Sequence, residues 1–105
     1  MRKFNHFGVP SCNKQEEAVF NDGLRVWLTD YTNSENRIEH LKFEEGSCMP
    51  ELIQKVAHIA YEVPCLTTAL EGKTVIFGPA DVDDQLSIAF IEEEGIPVEL
   101  MCFKK

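Results

Sequence analysis

The sequence predicts a small α+β domain built from two copies of a β-α-β-β-β unit, of which the first copy is truncated. Most of the chain consists of short segments rich in strand-forming residues, separated by turn residues. Each half also runs from a histidine on one apolar, strand-like segment to a glutamate on another, from His6 to Glu39 and from His58 to Glu99. Such self-similarity at matching positions indicates a duplicated supersecondary unit.

The 105 residues are predicted to fold as a single domain over residues 1–105, because most domains contain roughly 100–150 residues. The first unit covers about residues 1–48 and the second about residues 56–105. The connector between them is short, so we expect the two units to pack against each other as one body.

The first half is predicted to contain strands over residues 4–10, 24–29 and 37–43. Pro10 ends the first strand, and residues 14–19 have room for at most a turn or two of helix before a turn at Asn21-Asp22-Gly23. Residues 30–36 are polar and indicate a loop. The connector over residues 49–55 contains Pro50-Glu51, which suits the start of a helical turn.

The second half shows the order β-α-β-β-β more clearly. A short helix over residues 65–71 is expected to stop at Gly72, and a strand over residues 75–77 is expected to end at Gly78-Pro79. The other strands are predicted over residues 56–63, 85–91 and 97–103.

The net charge of −8 argues against binding to nucleic acid or to an anionic membrane, since both require a basic surface. No apolar run approaches the roughly 20 residues of a membrane-spanning helix. No signal-peptide core follows the start Met1-Arg2-Lys3-Phe4-Asn5-His6, so the cytoplasm is the expected location. The acidic run Glu92-Glu93-Glu94 is expected to be solvated.

The four cysteines do not form a zinc or redox motif, because none of them is part of a CxxC pair. In the absence of a secretion signal, we expect reduced thiols that pack as small hydrophobic side chains. They are Cys12, Cys48, Cys65 and Cys102.

The alternation of side chains along a strand places His58 and Ala60 on one face of the strand over residues 56–63. The larger side chains of Ile59 and Tyr61 lie on the other face and belong under the helix. His58 is therefore predicted to face the inside of a curved sheet.

On the closing strand of each unit, a glutamate shares a face with apolar residues: Glu39 with Leu41, and Glu99 with Met101. A carboxylate in such surroundings costs several kcal/mol to bury unless it is paired or bound to a metal. Because both halves repeat this arrangement, we predict a metal site.

Three other side chains are weaker candidates for a site. His40 follows Glu39 and points to the opposite face of its strand, which favours a surface position. Tyr61 and Trp27 are candidates to line a pocket, although aromatic residues in strands more often belong to the core.

The second half resembles the vicinal oxygen chelate superfamily, which includes glyoxalase I, methylmalonyl-CoA epimerase, extradiol dioxygenases and the bleomycin resistance proteins. The residues that carry this resemblance are His58-Ile59-Ala60-Tyr61-Glu62-Val63, Ile88-Ala89-Phe90-Ile91 and Gly95-Ile96-Pro97-Val98-Glu99-Leu100. The likeness covers nearly the whole chain, although the first unit lacks the helix that is usual in that superfamily.

The resemblance implies paired β-α-β-β-β modules that form a cup-shaped mixed sheet around a divalent metal. It implies that His6 and Glu39 supply two metal ligands from the first module, and that His58 and Glu99 supply two from the second. It also implies a small-molecule substrate or ligand and a homodimer.

Imidazole and carboxylate ligands suit zinc, nickel, cobalt, iron(II) or manganese. Four protein ligands on an octahedral ion leave two adjacent positions for two oxygens of one substrate. Such an ion stabilises the enediolate that forms when an α-hydroxycarbonyl or 1,2-dicarbonyl compound loses a proton from the neighbouring carbon. Glu99 or Glu39 is the expected catalytic base, and the sequence does not separate the two.

We therefore expect a small metal-dependent lyase or isomerase that is similar to glyoxalases and epimerases. One alternative is a protein that binds and sequesters a small molecule without turnover, as resistance proteins of this superfamily do. A third possibility is an extradiol dioxygenase with iron(II), against which the fourth ligand argues, because such sites use two histidines and one carboxylate.

Overall fold

The computed structural model describes residues 1–104, which form one curled, mixed sheet of eight strands with two short α-helices. The strands in chain order are β1 (Lys3–Pro10), β2 (Val19–Asn21), β3 (Val26–Leu28), β4 (Ile38–Phe43), β5 (His58–Glu62), β6 (Val75–Asp81), β7 (Leu86–Glu93) and β8 (Ile96–Phe103). The helices are α1 (Glu51–Lys55), α2 (Leu66–Ala69) and a short 3-10 helix (Tyr31–Asn33). The predicted α+β class with a curved mixed sheet is confirmed.

The sheet has the strand order β2-β3-β4-β1-β5-β8-β7-β6, so that β1 and β5 meet at its centre. β1 is parallel to β4 and β5 is parallel to β8, whereas all other neighbouring strands are antiparallel. Counted outward from the centre, both halves have the same order, β1-β4-β3-β2 on one side and β5-β8-β7-β6 on the other. His6 and His58 therefore occupy the two central strands.

The two faces of the sheet carry separate apolar clusters, as alternation along the strands requires. The inner cluster contains Met49, Ile53, Ala60, Ile88, Phe90 and Met101. The outer cluster contains Val63, Leu66, Ala89, Ile91, Val98 and Leu100. Leu66 of α2 belongs to the outer cluster, whereas Ile53 of α1 belongs to the inner one, so the two helices cover opposite faces. Ile59 and Tyr61 pack against the outer cluster, as predicted for the face under the helix.

The first half differs from its prediction between residues 19 and 29. Residues 14–19 contain no helix, which is within the predicted limit of a turn or two. Val19–Asn21 forms β2, which pairs with β3 as an antiparallel hairpin. The predicted strand over residues 24–29 is shorter, because Asn21 Oδ1 accepts a hydrogen bond from Leu24 N at 2.9 Å and extends the turn into that segment.

The predicted end of a strand at Gly78-Pro79 is also wrong, because β6 continues to Asp81. Its pairing with β7 shifts register between Phe77 and Ala80, around these two residues. β6 is the outermost strand of the sheet, and proline is tolerated at an edge or at a bulge because no neighbouring strand requires its missing N–H.

The cysteines are free thiols, but the prediction that they pack as small hydrophobic side chains is wrong for most of them. Cys12, Cys48 and Cys65 are exposed, and Cys102 alone packs against the outer cluster. All three exposed cysteines lie outside the strands, at positions that alternation does not bury. None of the helices in residues 1–104 has the length and apolar character that a bilayer-crossing helix needs.

Candidate metal centre

The four predicted ligands surround two small residues at the centre of the sheet. Gly8 of β1 is paired with His58 on β5 and with Glu39 on β4. Ala60 of β5 is paired with His6 on β1 and with Glu99 on β8.

Each row across the sheet thus places a histidine and a glutamate on either side of a glycine or an alanine. Because directly opposite residues share a face, all four functional side chains extend to the inner side. The missing side chain of Gly8 and the small methyl group of Ala60 leave room between them.

The structure brings the side chains of His6, Glu39, His58 and Glu99 to one cavity. Single ligand atoms of His6, Glu39 and His58 all lie within 4.8 Å of one another, so that this group could hold a metal ion. Glu99 is not a member of this trio, but its Oε1 lies 3.0 Å from His58 Nε2 and 3.5 Å from His6 Nε2. Glu39 Oε1 lies 3.5 Å from His6 Nε2.

The imidazole nitrogens that face this cavity have the character of free ligand atoms. His6 Nε2 and both ring nitrogens of His58 are buried and make no hydrogen bond of regular geometry within residues 1–104. A buried polar group without a partner costs about 1–3 kcal/mol, so such atoms are rare unless a ligand or ion completes them. The donor set of two imidazoles with carboxylates therefore fits a divalent cation.

A β-bulge in β1 supplies a partner for His6. The register between β1 and β5 shifts between Phe4 and His6, and the extra residue is Asn5. The bulge places Asn5 next to His6 in the interior, where both side chains are buried. Asn5 is therefore able to contact the imidazole of the neighbouring residue.

Asn5 links His6 to Glu62 and fixes the orientation of the imidazole. Asn5 Nδ2 donates to Glu62 Oε2 at 2.8 Å, and because a carboxylate accepts only, the amide oxygen must face the other way. That oxygen, Oδ1, accepts from His6 Nδ1 at 2.7 Å. The proton is thus held on Nδ1, which leaves Nε2 available for a metal, as in the outer-shell bonds of known histidine ligands.

Tyr31 closes one side of the site. Its ring stacks on the His6 imidazole with centroids 4.2 Å apart and planes 11° from parallel. It begins the 3-10 helix Tyr31–Asn33, which Asp30 caps by accepting from Thr32 N. The Arg37 guanidinium lies 5.1 Å from the centre of the Tyr31 ring, and its Nε donates to the Asn5 carbonyl.

The cluster is electrostatically coupled. Burial lowers the pKa of His6, but the carboxylates of Glu39 and Glu99 raise it by more, to about 9. Burial raises the pKa of Glu99, but His58 and His6 lower it by more, so this carboxyl group is ionised at neutral pH. Burial, followed by the charges of Glu39 and Glu99, raises the pKa of Tyr31. Before any cation binds, the positive charge of protonated His6 therefore offsets part of the negative charge of Glu39 and Glu99.

The weaker candidates lie elsewhere. His40 faces a separate outer groove together with Thr29 and Asp30, in agreement with the predicted face. Tyr61 packs on the outer face, and Trp27 contacts Phe20 at a ring-centroid distance of 5.0 Å; neither lines the cavity.

Sequence reasoning missed Asn5, Gly8 and Tyr31 as parts of the site. A signal for Gly8 was present, because both central strands contain a histidine followed two residues later by a small residue, His6-Phe7-Gly8 and His58-Ile59-Ala60. For Asn5 and Tyr31 there was no such signal, since one depends on a bulge and the other on the placement of a loop.

Comparison with known proteins adds no family to these observations. No family profile matches the chain, and no curated protein is significantly similar to it.

Proposed function

We propose that this protein is a small metal-dependent enzyme of the lyase or isomerase kind, which acts on an α-hydroxycarbonyl or 1,2-dicarbonyl compound. The observation that carries this proposal is the convergence of two histidines and two glutamates on one buried point, with imidazole nitrogens that make no regular hydrogen bond within residues 1–104. We further propose that the chain is a divergent member of the vicinal oxygen chelate superfamily. The equal strand order of the two halves supports the idea of two related modules.

His6, Glu39 and His58 would hold the cation, because they form the compact trio. Their nitrogen and oxygen donors suit zinc, nickel, cobalt, iron(II) or manganese. When bound, such an ion would stabilise the negative charge that develops on a substrate oxygen as the neighbouring carbon loses its proton.

Glu99 is the better candidate for the base that removes this proton. It lies outside the trio, yet its Oε1 is 3.0 Å from His58 Nε2, at the edge of the same site. It is buried and ionised, so it is in the form that accepts a proton. The role of Asn5 would be to hold His6 in place, and that of Tyr31 to exclude water from one side of the imidazole.

A specific observation favours the alternative of a binding protein without turnover. Apart from the two histidines and two glutamates, Tyr31 is the sole titratable side chain of residues 1–104 that lines the cavity. If both glutamates remain bound to the cation, no carboxylate is left to move a proton. The protein would then bind a chelating molecule and keep it.

A third candidate is an extradiol dioxygenase. The compact trio consists of two histidines and one carboxylate, which is the ligand set of non-haem iron(II) oxygenases. Oxygen consumption in the presence of a catechol and iron(II) would distinguish this activity from the others.

The decisive experiment measures the metal content of protein purified without added ions, followed by deuterium exchange into α-hydroxycarbonyl and 1,2-dicarbonyl compounds. We expect about one divalent ion per chain and metal-dependent exchange of the proton next to the carbonyl group. A stoichiometric metal with no exchange and no oxygen consumption would support the binding protein. Absence of any metal, even after loading with zinc, cobalt or manganese, would contradict both enzyme functions and leave the binding protein.

A further inference from the structure

The cavity that contains the metal centre is lined by apolar side chains. Outside the two histidines and two glutamates, Asn21 and Tyr31 are the polar residues among the described part of the lining. The apolar residues of the lining are Leu24, Val26, Leu28, Leu41, Phe43, Met49, Ile53, Val82, Leu86, Ile88, Phe90 and Met101. Asn21 Oδ1 already accepts from Leu24 N, so the Tyr31 hydroxyl and the Asn21 amide nitrogen are the few groups in this wall that would hydrogen-bond to a polar ligand.

The cavity is also small. Its volume is about 140 Å³. An apolar cavity of roughly 150 Å³ in another protein holds one benzene molecule, so this cavity has room for a ring or a short branched chain of similar size. A nucleotide or a peptide-sized carrier would extend out of it.

No arginine or lysine of residues 1–104 lines the cavity. Arg37 is near but is engaged by the Tyr31 ring and by the Asn5 carbonyl. A divalent cation would be neutralised by the Glu39 and Glu99 carboxylates, so an additional anionic group on the ligand would have no counter-charge. Burying such a group without a partner is costly.

Acidic residues at the rim of the cavity also disfavour anionic ligands. Exposed Asp22 follows the lining residue Asn21 in the chain, and exposed Asp83 and Asp84 follow the lining residue Val82. An acidic rim repels anions as they approach.

We propose that the cavity binds a small apolar chelator, of about the size of one six-membered ring, whose only charged or strongly polar atoms are the two oxygens that meet the metal centre. This inference rests on the proposed function for the presence of the metal. It excludes phosphorylated, polycarboxylate and carrier-linked substrates.

The test is a titration of the cobalt(II)-loaded protein with four hydroxamates. The visible absorption of the ion reports the binding of each compound. Benzohydroxamate should bind about tenfold or more tightly than acetohydroxamate, because its ring buries additional apolar area. 4-Carboxybenzohydroxamate should bind about tenfold or more weakly than 4-nitrobenzohydroxamate, which has nearly the same shape but no charge.

A change of charge at the rim provides a matched pair of variants. Val82 lines the mouth and is 44% exposed, so Val82→Lys should leave the fold intact. Val75 is equally exposed, at 42%, but does not line the cavity. We expect Val82→Lys to improve binding of 4-carboxybenzohydroxamate about fivefold or more relative to the nitro compound, and Val75→Lys to leave this ratio unchanged.

The outcomes separate the two proposals. Failure to bind cobalt would overturn the proposed function, and this inference with it. If cobalt binds but the carboxylate compound matches the nitro compound, or acetohydroxamate matches benzohydroxamate, the metal site stands and the assignment of an apolar chelator is wrong. Equal responses of Val82→Lys and Val75→Lys would also contradict the assignment.

Discussion

The imidazole of His58 occupies the space that a side chain on Gly8 would fill. The two residues are directly opposite each other on β5 and β1, and a Cβ atom on Gly8 would lie 2.0 Å from His58 Cε1. A glycine at position 8 is thus required by close approach, and not by an unusual backbone conformation. One half of the chain in this way determines where the candidate ligand of the other half can lie.

Gly8→Ala should displace His58 and weaken metal binding by about 100-fold, with a loss of folding stability of about 1–3 kcal/mol from overpacking. Gly23→Ala is the control, because the nearest atom to a Cβ there is 3.5 Å away. Metal affinity is measured by competition with a chromophoric chelator, and stability by urea unfolding.

A double variant separates the clash from other effects of the alanine. If the clash with His58 is the cause, Gly8→Ala combined with His58→Ala should be more stable than the sum of the single changes predicts. Additive changes in the free energy of unfolding, or wild-type metal affinity in Gly8→Ala, would show that the position of the His58 imidazole does not depend on residue 8.

Asn5→Ala should weaken metal binding about 10–100-fold, because His6 Nδ1 loses the acceptor that fixes its tautomer. Asn5→Asp combined with Glu62→Gln provides the matched variant. It exchanges the amide and the carboxylate between the two positions. The new carboxylate at position 5 accepts from His6 Nδ1, while the new amide at position 62 donates to that carboxylate.

We expect this exchange to restore most of the metal affinity that Asn5→Ala loses. Nitrogen NMR of the metal-loaded protein should show the His6 proton on Nδ1 in the wild type and in the double variant. Equal metal affinity for Asn5→Ala and the wild type would show that the hydrogen bond from His6 to Asn5 does not contribute to metal binding.

The two glutamates should respond differently to amide substitution. Glu39→Gln should mainly weaken metal binding, because Glu39 belongs to the compact trio. Glu99→Gln should retain the metal but lower the rate of proton exchange about 10²–10⁴-fold, the usual contribution of a positioned base. Metal content and exchange rate are measured on the same samples, and a wild-type exchange rate in metal-loaded Glu99→Gln would assign Glu99 to another role.

The sequence was most informative where side-chain alternation decides the structure. In β5 and β8 the period of two correctly separated Ala60 and Met101 from the residues under α2, and it brought His58 and Glu99 to the same face. Repetition of the pattern in the first half then allowed His6 and Glu39 to be placed by analogy.

The features that escaped prediction depend on contacts between distant segments. A bulge such as that at Asn5 is defined by the pairing of two strands, and a strand as short as β2 exists because β3 is beside it. The position of Tyr31 over His6 requires the loop before β4 to fold back, which no local pattern in residues 30–36 indicates.

Glu93 was expected to be solvated with its neighbours, but it connects the start of the chain to the second half. Its carboxylate accepts from Arg2 at 2.8 and 2.9 Å and from Lys73 at 3.0 Å. The hydrogen bond from Arg2, and then that from Lys73, lower the pKa of Glu93 from 4.5 to about 2. The prediction that this residue is simply solvated is therefore wrong.

A carboxyl group with a lowered pKa in the folded state stabilises the protein above its unfolded pKa, and this contribution is lost as the pH falls. For Glu93 the window lies between about pH 5 and pH 2. After a discount for solvent screening, Glu93→Gln should cost about 1–2 kcal/mol at pH 7, and the difference from wild type should shrink towards zero near pH 2. Glu92→Gln, at an exposed neighbour, is the control and should show little change at either pH. Urea unfolding across this range measures both variants, and a Glu93→Gln difference that stays constant from pH 7 to pH 2 would rule out the ionised carboxylate as its source.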